Sequence, residues 1–289
     1  MQNSPLPYPP PIRGREGWGR NGVRTLNLLF IGDIIGEPGR MILARKLGGL
    51  IKSEGIDLVV ANGENAAGGF GITPKIAKEL FDQGVDVITS GNHVFDKKEI
   101  VEYIKKEGRL LRPANYPEGV AGAGSIIVET RTHDKVGIIH LMGRIFMLPI
   151  DCPFRTARQE IARIKRETRA IIIDLHAEAT SEKMALGWYL DGEVSAVIGT
   201  HTHVQTADET ILPKGTAYIT DAGMTGPINS VIGIRKEEAI DKFLTQTPRR
   251  FEIAGGPSLL SGVIVDIDPL EGMARSIRRI QIRDDNPVF

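Results

Sequence analysis

Residues 26–33 read LNLLFIGD, an apolar run interrupted only by Asn27 and closed by Gly32 and the carboxylate of Asp33. A run of this kind, without strict alternation, marks a strand covered on both faces, as in the sheets of α/β proteins. Reading outward, the pattern recurs. Asp57–Ala61 (DLVVA) leads into Asn62-Gly63-Glu64-Asn65, and Asp86–Ser90 (DVITS) leads into Gly91-Asn92-His93. Ala170–Leu175 (AIIIDL) leads into His176, and Val194–Gly199 (VSAVIG) leads into Thr200-His201-Thr202-His203. Each apolar run ends on side chains that carry oxygen or imidazole.

Helical periodicity fills the gaps. Leu43, Leu47, Leu50 and Ile51 form one stripe. Thr73-Pro74 opens a helix carrying Ile76, Ala77, Leu80 and Phe81, which stops at Gly84. Asp96 with Glu99 reads as the cap of a helix bearing Ile100, Val101 and Ile104, with orientation of His93 as the alternative role for Asp96. Thr156 with Gln159 reads as a capping box for a helix through about Thr168, and further helices are expected over Ser181–Leu190 and Glu237–Leu244. Strands are expected at Ser125–Thr130, Val136–Met142, Tyr218–Asp221, Leu259–Asp266 and Ser276–Ile282, the last two joined by a turn at Asp268-Pro269. Alternating strands and helices with a late hairpin imply a mixed α/β sheet core.

Residues 1–25 stand apart. They are rich in Pro, Gly and Arg, lack periodicity and are expected to be a disordered tail. No linker is evident after them, so residues 26–289 are expected to form a single domain. The chain of 289 residues carries equal numbers of basic and acidic groups and has a pI near 7, which argues against a coat for nucleic acid or anionic membrane. The basic stretch Arg155, Arg158, Arg163, Lys165, Arg166 and Arg169 could touch RNA, but a solvated helix face explains it better. A single cysteine, Cys152, excludes an intrachain disulfide and thiolate clusters. No apolar run approaches the ~20 residues that span a bilayer. The expectation is a cytoplasmic protein without a membrane partner.

In open α/β sheets, ligands bind beyond the carboxyl ends of the strands. The side chains gathered there would be Asp33, Glu64, Asn65, Asn92, His93, His176, His201 and His203. A mixed oxygen and nitrogen set without thiolate suits Mn, Fe, Zn or Mg, and so many donors favour two ions over one. Taken singly, each has an ordinary structural explanation: a cap, a turn former, a buried histidine. Their joint placement at strand ends is the informative feature. On a strand, residues i and i+2 share a face, so His201 and His203 are expected to point the same way. His133 and His140 are read as structural. Gly68, Gly69 and Gly71 would let the loop after Glu64 approach a substrate, and Gly223-Met224-Thr225-Gly226 could contact it as well.

The ordered motifs Gly32-Asp33, Gly63-Glu64-Asn65, Gly91-Asn92-His93, His176 and Gly199-Thr200-His201-Thr202-His203 resemble those of the calcineurin-like metallophosphoesterases. The strings IGDIIGEPGR, NGENAAGGFGIT, SGNHVFD, RPANYP, DLHAEATSEK, GTHTHVQTAD and ITDAGMTGP look more narrowly like the YmdB-like branch of bacterial phosphodiesterases, over residues about 27–250. The wider superfamily has a ligand His where Ile35 stands and a bridging Asp where Glu64 stands; the YmdB-like branch is similar to this chain at both places. The resemblance implies a four-layer αββα fold, a two-sheet sandwich flanked by helices. It implies two divalent metal ions, iron or manganese. Asp33, Asn65 and His203 would hold one, Asn92, His176 and His201 the other, and Glu64 would bridge them. His93 would be the catalytic proton donor, opposite a hydroxide generated between the ions. The implied substrates are phosphodiesters, 2′,3′-cyclic nucleotides among them, and a homo-oligomer is compatible with this reading.

Competing readings are weaker. An amidohydrolase places its His-x-His pair early, whereas here it comes late. Gly32, Gly36 and Gly39 do not match the spacing of a dinucleotide fingerprint. A regulatory protein that binds a nucleotide through the metals with little turnover remains the alternative.

Overall fold

A computed structural model describes residues 25–288. Along the chain run β1 (Leu26–Ile31), β2 (Asp33–Ile34), α1 (Gly36–Glu54), β3 (Leu58–Asn62), α2 (Pro74–Asp82), β4 (Val87–Thr89) and α3 (Ile100–Ile104). Then come β5 (Ser125–Glu129), β6 (Lys135–Met142), α4 (Pro153–Ile164), β7 (Ile171–His176), α5 (Thr180–Tyr189) and β8 (Ala196–Thr200). The last are β9 (Thr210–Ile211), β10 (Ala217–Ile219), β11 (Met224–Pro227), α6 (Lys236–Thr245), β12 (Gly256–Ile267) and β13 (Ala274–Val288). The expected tail lies outside the described residues apart from Thr25.

Two mixed sheets form. One has the order β2-β11-β12-β1-β3-β4, with β13 also paired to β12; the second has the order β5-β6-β7-β8-β10-β9. β1 shows why its sequence lacks polar alternation. Leu26, Leu28 and Phe30 pack toward the second sheet, with Val136, Ile138, Ile172 and Ile198 in the same cluster. Leu29 and Ile31 face the other way, against Ile42, Leu43 and Leu47 of α1. The outer face of the second sheet is covered by α4 and α5 through Ala157, Ile161, Ile164 and Leu186, with Leu190 just beyond α5. Helices, sheet, sheet, helices: this is the four-layer sandwich expected.

β1, β3 and β4 are mutually parallel, as are β6, β7, β8 and β10. The ends of β3 and β7 meet across the sheets through Asn62 and Asp174, and residues just past β1 and β8 through Asp33 and the His201 amide, so the carboxyl ends of β1, β3, β7 and β8 share one rim of the sandwich. β12 lies antiparallel to β1, with Ile31 opposite Gly262, which makes the sheet mixed as the late hairpin implied.

Several local expectations need correction. α4 begins at Pro153 with Cys152, a half-buried free thiol, at its N-cap, so Thr156 lies inside the first turn rather than capping it. Proline at the first position already fixes φ and needs no donor there. α3 starts at Ile100, its cap Glu99 makes no side-chain bond, and Asp96 is engaged elsewhere. Thr73 behaves as read, its hydroxyl accepting from the Ile76 amide at 3.2 Å. Strands β2, β9 and β11 were not legible: they are two to four residues long, too short for periodicity to register. Gly223 precedes β11, which pairs Met224 with Asp33. The Gly223–Gly226 segment therefore backs the first motif and does not line the cleft.

Candidate active site

Glu64 sits at the centre. It follows β3 on a turn in which Asn62 Oδ1 accepts from the Glu64 amide at 3.1 Å. Its Oε1 lies 3.1 Å from His176 Nε2 and accepts from Asn65 Nδ2 at 3.1 Å, while Oε2 accepts from the His93 amide at 3.3 Å. Gly91 is obligatory beside it: a Cβ there would stand 2.0 Å from Glu64 Oε2 and 2.5 Å from His176 Nε2.

Two sets of donor atoms converge and share Glu64: Glu64, His176 and His201 form one, and Asp33, Glu64 and His203 the other, with ligand atoms all within 4.8 Å inside each set. The amides join them. Asn92 Oδ1 is 3.1 Å from His176 Nε2, and Asn65 Nδ2 is 3.2 Å from His203 Nε2. All seven side chains expected to hold metal are thus brought together, along with His93 at the edge.

The residues fit divalent cations on three physical grounds. Asp33 Oδ1 and Asn65 Oδ1 are buried without a hydrogen-bond partner, a costly state unless something else satisfies them. Burial raises the pKa of Asp33 to about 6, although His203 and His176 oppose it. Burial also disfavours charge on His176, but Glu64 and Asp33 outweigh that and lift its pKa to about 9; burial likewise opposes charge on Glu64, yet His176 holds it well below the usual carboxylate range. A proton on His176 thus stands in for positive charge between the carboxylates, and metal binding displaces such protons. His201 goes the other way: burial and His176 depress its pKa to about 3, leaving the neutral imidazole that a cation requires.

The reason expected for the convergence of His201 and His203 is wrong. β8 ends at Thr200, and the pair lies on a loop with φ of 101° at His201 and 65° at His203. Left-handed turns aim the two rings, not strand alternation, and such backbone persists only when its surroundings hold it. The buried Asp221–Lys183 ion pair does so. Asp221 Oδ2 accepts from Lys183 Nζ at 2.8 Å, from the Thr202 amide at 3.0 Å and from the Thr202 hydroxyl at 2.7 Å.

A second layer lies under His176. Its Nδ1 is 3.0 Å from Thr200 Oγ1, which donates to Asp174 Oδ1 at 2.8 Å; Asn62 Nδ2 donates to Asp174 Oδ2 at 3.2 Å. His140 Nδ1 lies 3.2 Å from the same carboxylate, so the residue read as structural is buried behind the site. Burial opposes ionisation of Asp174, but His140 holds its pKa below the ordinary range. Replacing Asp174 with Ala leaves these partners unpaired. Chemical denaturation is expected to show a loss of about 3 kcal/mol, and metal titration an affinity ~10- to 100-fold weaker.

Asp174, Asn62, Lys183 and Asp221 were not singled out from the sequence. A signal existed for Asp174: it interrupts an otherwise apolar strand two residues before His176 and shares its face. Lys183 gave none, since a single lysine on a helix is usually solvated. His133 is exposed and paired with Glu129, away from the site. In the basic stretch, Arg158 and Lys165 pair with Glu193, and Arg163 with Glu160.

His93 borders a cleft of about 300 Å³ whose lining includes Glu64, Asn65, His201 and His203. Its Nδ1 lies 2.8 Å from Asp96 Oδ2. Asp96 is therefore the partner of His93 rather than a helix cap. Since a carboxylate only accepts, Nδ1 is the donor in this contact, and Nε2 is the ring nitrogen not committed to it.

The family model described as YmdB-like protein matches residues 29–280. The chain is 50% identical over 264 residues to a protein of Bacillus subtilis named 2′,3′-cyclic-nucleotide 2′-phosphodiesterase, covering 91% of this chain and 100% of that one. A crystal structure of a novel phosphatase from Mycoplasma pneumoniae superposes with a TM-score of 0.85 at 36% identity, over 91% of this chain and 95% of that one. A hypothetical protein from Thermus thermophilus gives a TM-score of 0.84 at 40% identity, over 90% of this chain and 100% of that one. With its motifs meeting at one rim of the same fold, the chain belongs to the YmdB-like family.

Proposed function

We propose that this protein is a metal-dependent phosphodiesterase that opens 2′,3′-cyclic nucleotides with His93 as proton donor. The observation that carries this reading is the pair of donor sets sharing Glu64, with two orphaned oxygens, beside an imidazole that has one nitrogen tied to a carboxylate. Asp33, Asn65 and His203 would hold one cation, Asn92, His176 and His201 the other, and Glu64 both; iron and manganese suit these donors. Bound there, the cations would neutralise phosphoryl oxygens and supply hydroxide at neutral pH.

The chain's own residues do the rest. Asp96 accepts from Nδ1 and orients His93, which acts in its doubly protonated form: Nε2–H passes its proton to the leaving ribose oxygen, the ring is left neutral with Nδ1 still protonated, and solvent restores the Nε2 proton. The Asp174–Thr200 pair keeps His176 Nδ1 engaged, so that Nε2 faces the centre. Asp221 fixes the His201–His203 loop. The proposed place of action is the cytoplasm, on small phosphodiesters. Among the described residues no helix is long and apolar enough to cross a membrane.

Incubation of Mn²⁺-loaded protein with 2′,3′-cyclic AMP and with bis-(p-nitrophenyl) phosphate tests the reading. Release of nucleoside monophosphate supports it; nucleotide binding without product would favour the regulatory alternative. Asp96→Asn is expected to lower turnover by about 10-fold, less than the ~10² that loss of a general acid costs, with metal content unchanged. Elemental analysis beside steady-state rates checks both halves.

A further inference from the structure

The cleft has two unlike halves. The donor cluster supplies its polar lining, where Glu178 lies 3.0 Å from His201 Nε2, Thr202 is bonded to Asp221, and Asn65 Oδ1 is left for a cation. The rest of the lining is apolar, Ile35, Phe70, Ile232, Ile234, Phe251 and Ile253, whose side chains carry no hydrogen-bonding group; the Ile232 carbonyl accepts from His203 Nδ1 at 2.9 Å, which joins this wall to the donor cluster. Phe70 is 38% exposed and Ile232 50%, on a concave surface. Apolar walls facing a few convergent polar groups are the usual build of a small-molecule site, and the volume lies at the lower end of the ~300–1,000 Å³ such sites occupy.

Phe70 is held in place. It rides on a tight turn in which the Ala67 amide donates to the Gly71 carbonyl at 2.9 Å, with φ of 68° at Gly68, 93° at Gly69 and 76° at Gly71. A Cβ on Gly69 would stand 2.6 Å from Ile253 Cδ1, so glycine lets the turn seat against the wall. The ring meets His93 at a centroid distance of 5.1 Å and an interplanar angle of 73°.

From this juxtaposition we infer that Phe70 and the Ile232–Ile253 wall form the nucleobase subsite, and that the enzyme accepts all four bases. The inference rests on the reading above. His93 protonates an oxygen on the ribose; the same ribose carries the base, which therefore lies within a nucleoside's length of His93, where Phe70 stands. Stacking on an aromatic ring tolerates any base, because every base has a π-face. Apolar side chains, with the Ile232 carbonyl already taken by His203 Nδ1, offer no side-chain group whose loss of a partner would reject one base.

The test uses the full-length Mn²⁺-loaded protein and five substrates: the 2′,3′-cyclic phosphates of adenosine, guanosine, cytidine and uridine, and base-free glycerol 1,2-cyclic phosphate. Wild-type kcat/KM is expected to vary by less than about 10-fold among the four nucleotides. Phe70→Ala is expected to raise KM for each nucleotide by about 10-fold with kcat nearly unchanged, to leave the glycerol ester unaffected, and to be rescued by Phe70→Trp. An equal loss on the base-free substrate would show that Phe70 only props His93, and a spread above ~100-fold among bases would show hydrogen-bond readout; either result overturns the subsite. Calorimetric binding of adenosine 3′-phosphate and glycerol phosphate keeps the two readings apart. Base-dependent affinity lost in Phe70→Ala supports the subsite even if no substrate turns over, an outcome that would count against the reaction alone. Equal affinity in wild type and variant overturns the subsite.

Discussion

Glu64→Ala protein is expected to emerge from purification with less than about a tenth of the wild-type metal, and to bind added Mn²⁺ more than ~100-fold more weakly, since even partners outside the ligand shell cost ~10- to 100-fold. Among the described residues Glu64 is the one side chain common to both donor sets. Its loss removes negative charge from both sites together and leaves His176 without the partner 3.1 Å away that raises its pKa. Neither Asp33 nor Asp174 can take its place between the two sets. Asp33 Oδ2 accepts from the His201 amide, and Asp174 is committed beneath His176. The fold should survive, because the packing of β1 and β3 does not depend on this carboxylate. Circular dichroism is then unchanged, while the rise in Tm that Mn²⁺ gives the wild-type protein disappears; saturation at ~100-fold excess over Kd is worth about 2.7 kcal/mol to a native state. Retention of two metals per chain would remove Glu64 from the bridging role. Glu64→Gln separates charge from shape: it keeps the volume and one carbonyl oxygen, and is expected to fall between wild type and Glu64→Ala in affinity.

The architecture was legible wherever a strand was long and buried on both faces. LNLLFIGD, DLVVA and AIIIDL each carry apolar side chains to both sides, and each ends where the chain leaves the core and can turn polar groups toward one rim. The donor residues were legible for the same reason, since their position after a strand is a sequence property. What was lost lies in contacts between distant segments and in side-chain direction. The role of Asp96 hinged on whether its carboxylate turned toward an amide of α3 or toward an imidazole three residues back. Spacing allows both; the 2.8 Å contact with His93 decides it. His201 and His203 point inward through left-handed backbone that alternation cannot foretell, held by Asp221 from beyond the next two strands. Phe70 would pass for an ordinary exposed loop residue until Ile232 and Ile253 join it in the cleft lining from a distant part of the chain.

His93→Ala is expected to separate binding from chemistry where Glu64→Ala abolishes both. His93 belongs to neither donor set, and its hydrogen bond to Glu64 is made by the backbone amide, which alanine retains. Metal content and the affinity for Mn²⁺ should therefore match the wild-type protein. Turnover of 2′,3′-cyclic AMP should fall by roughly 10²- to 10⁴-fold, the range for loss of a positioned general acid. The leaving-group dependence carries the diagnosis. A ribose alkoxide is a poor leaving group and needs a proton in the transition state; p-nitrophenolate does not. The deficit should then shrink markedly on bis-(p-nitrophenyl) phosphate, whereas a variant that merely distorted the cleft would lose rate on both. Asp96→Asn belongs to the same series, since it keeps the imidazole but exchanges its carboxylate partner for an amide, and should show the same leaving-group dependence at smaller amplitude. An undiminished rate for His93→Ala on 2′,3′-cyclic AMP would move the proton donor elsewhere in the cleft, and equal losses on the two substrates would make His93 a positioning residue instead.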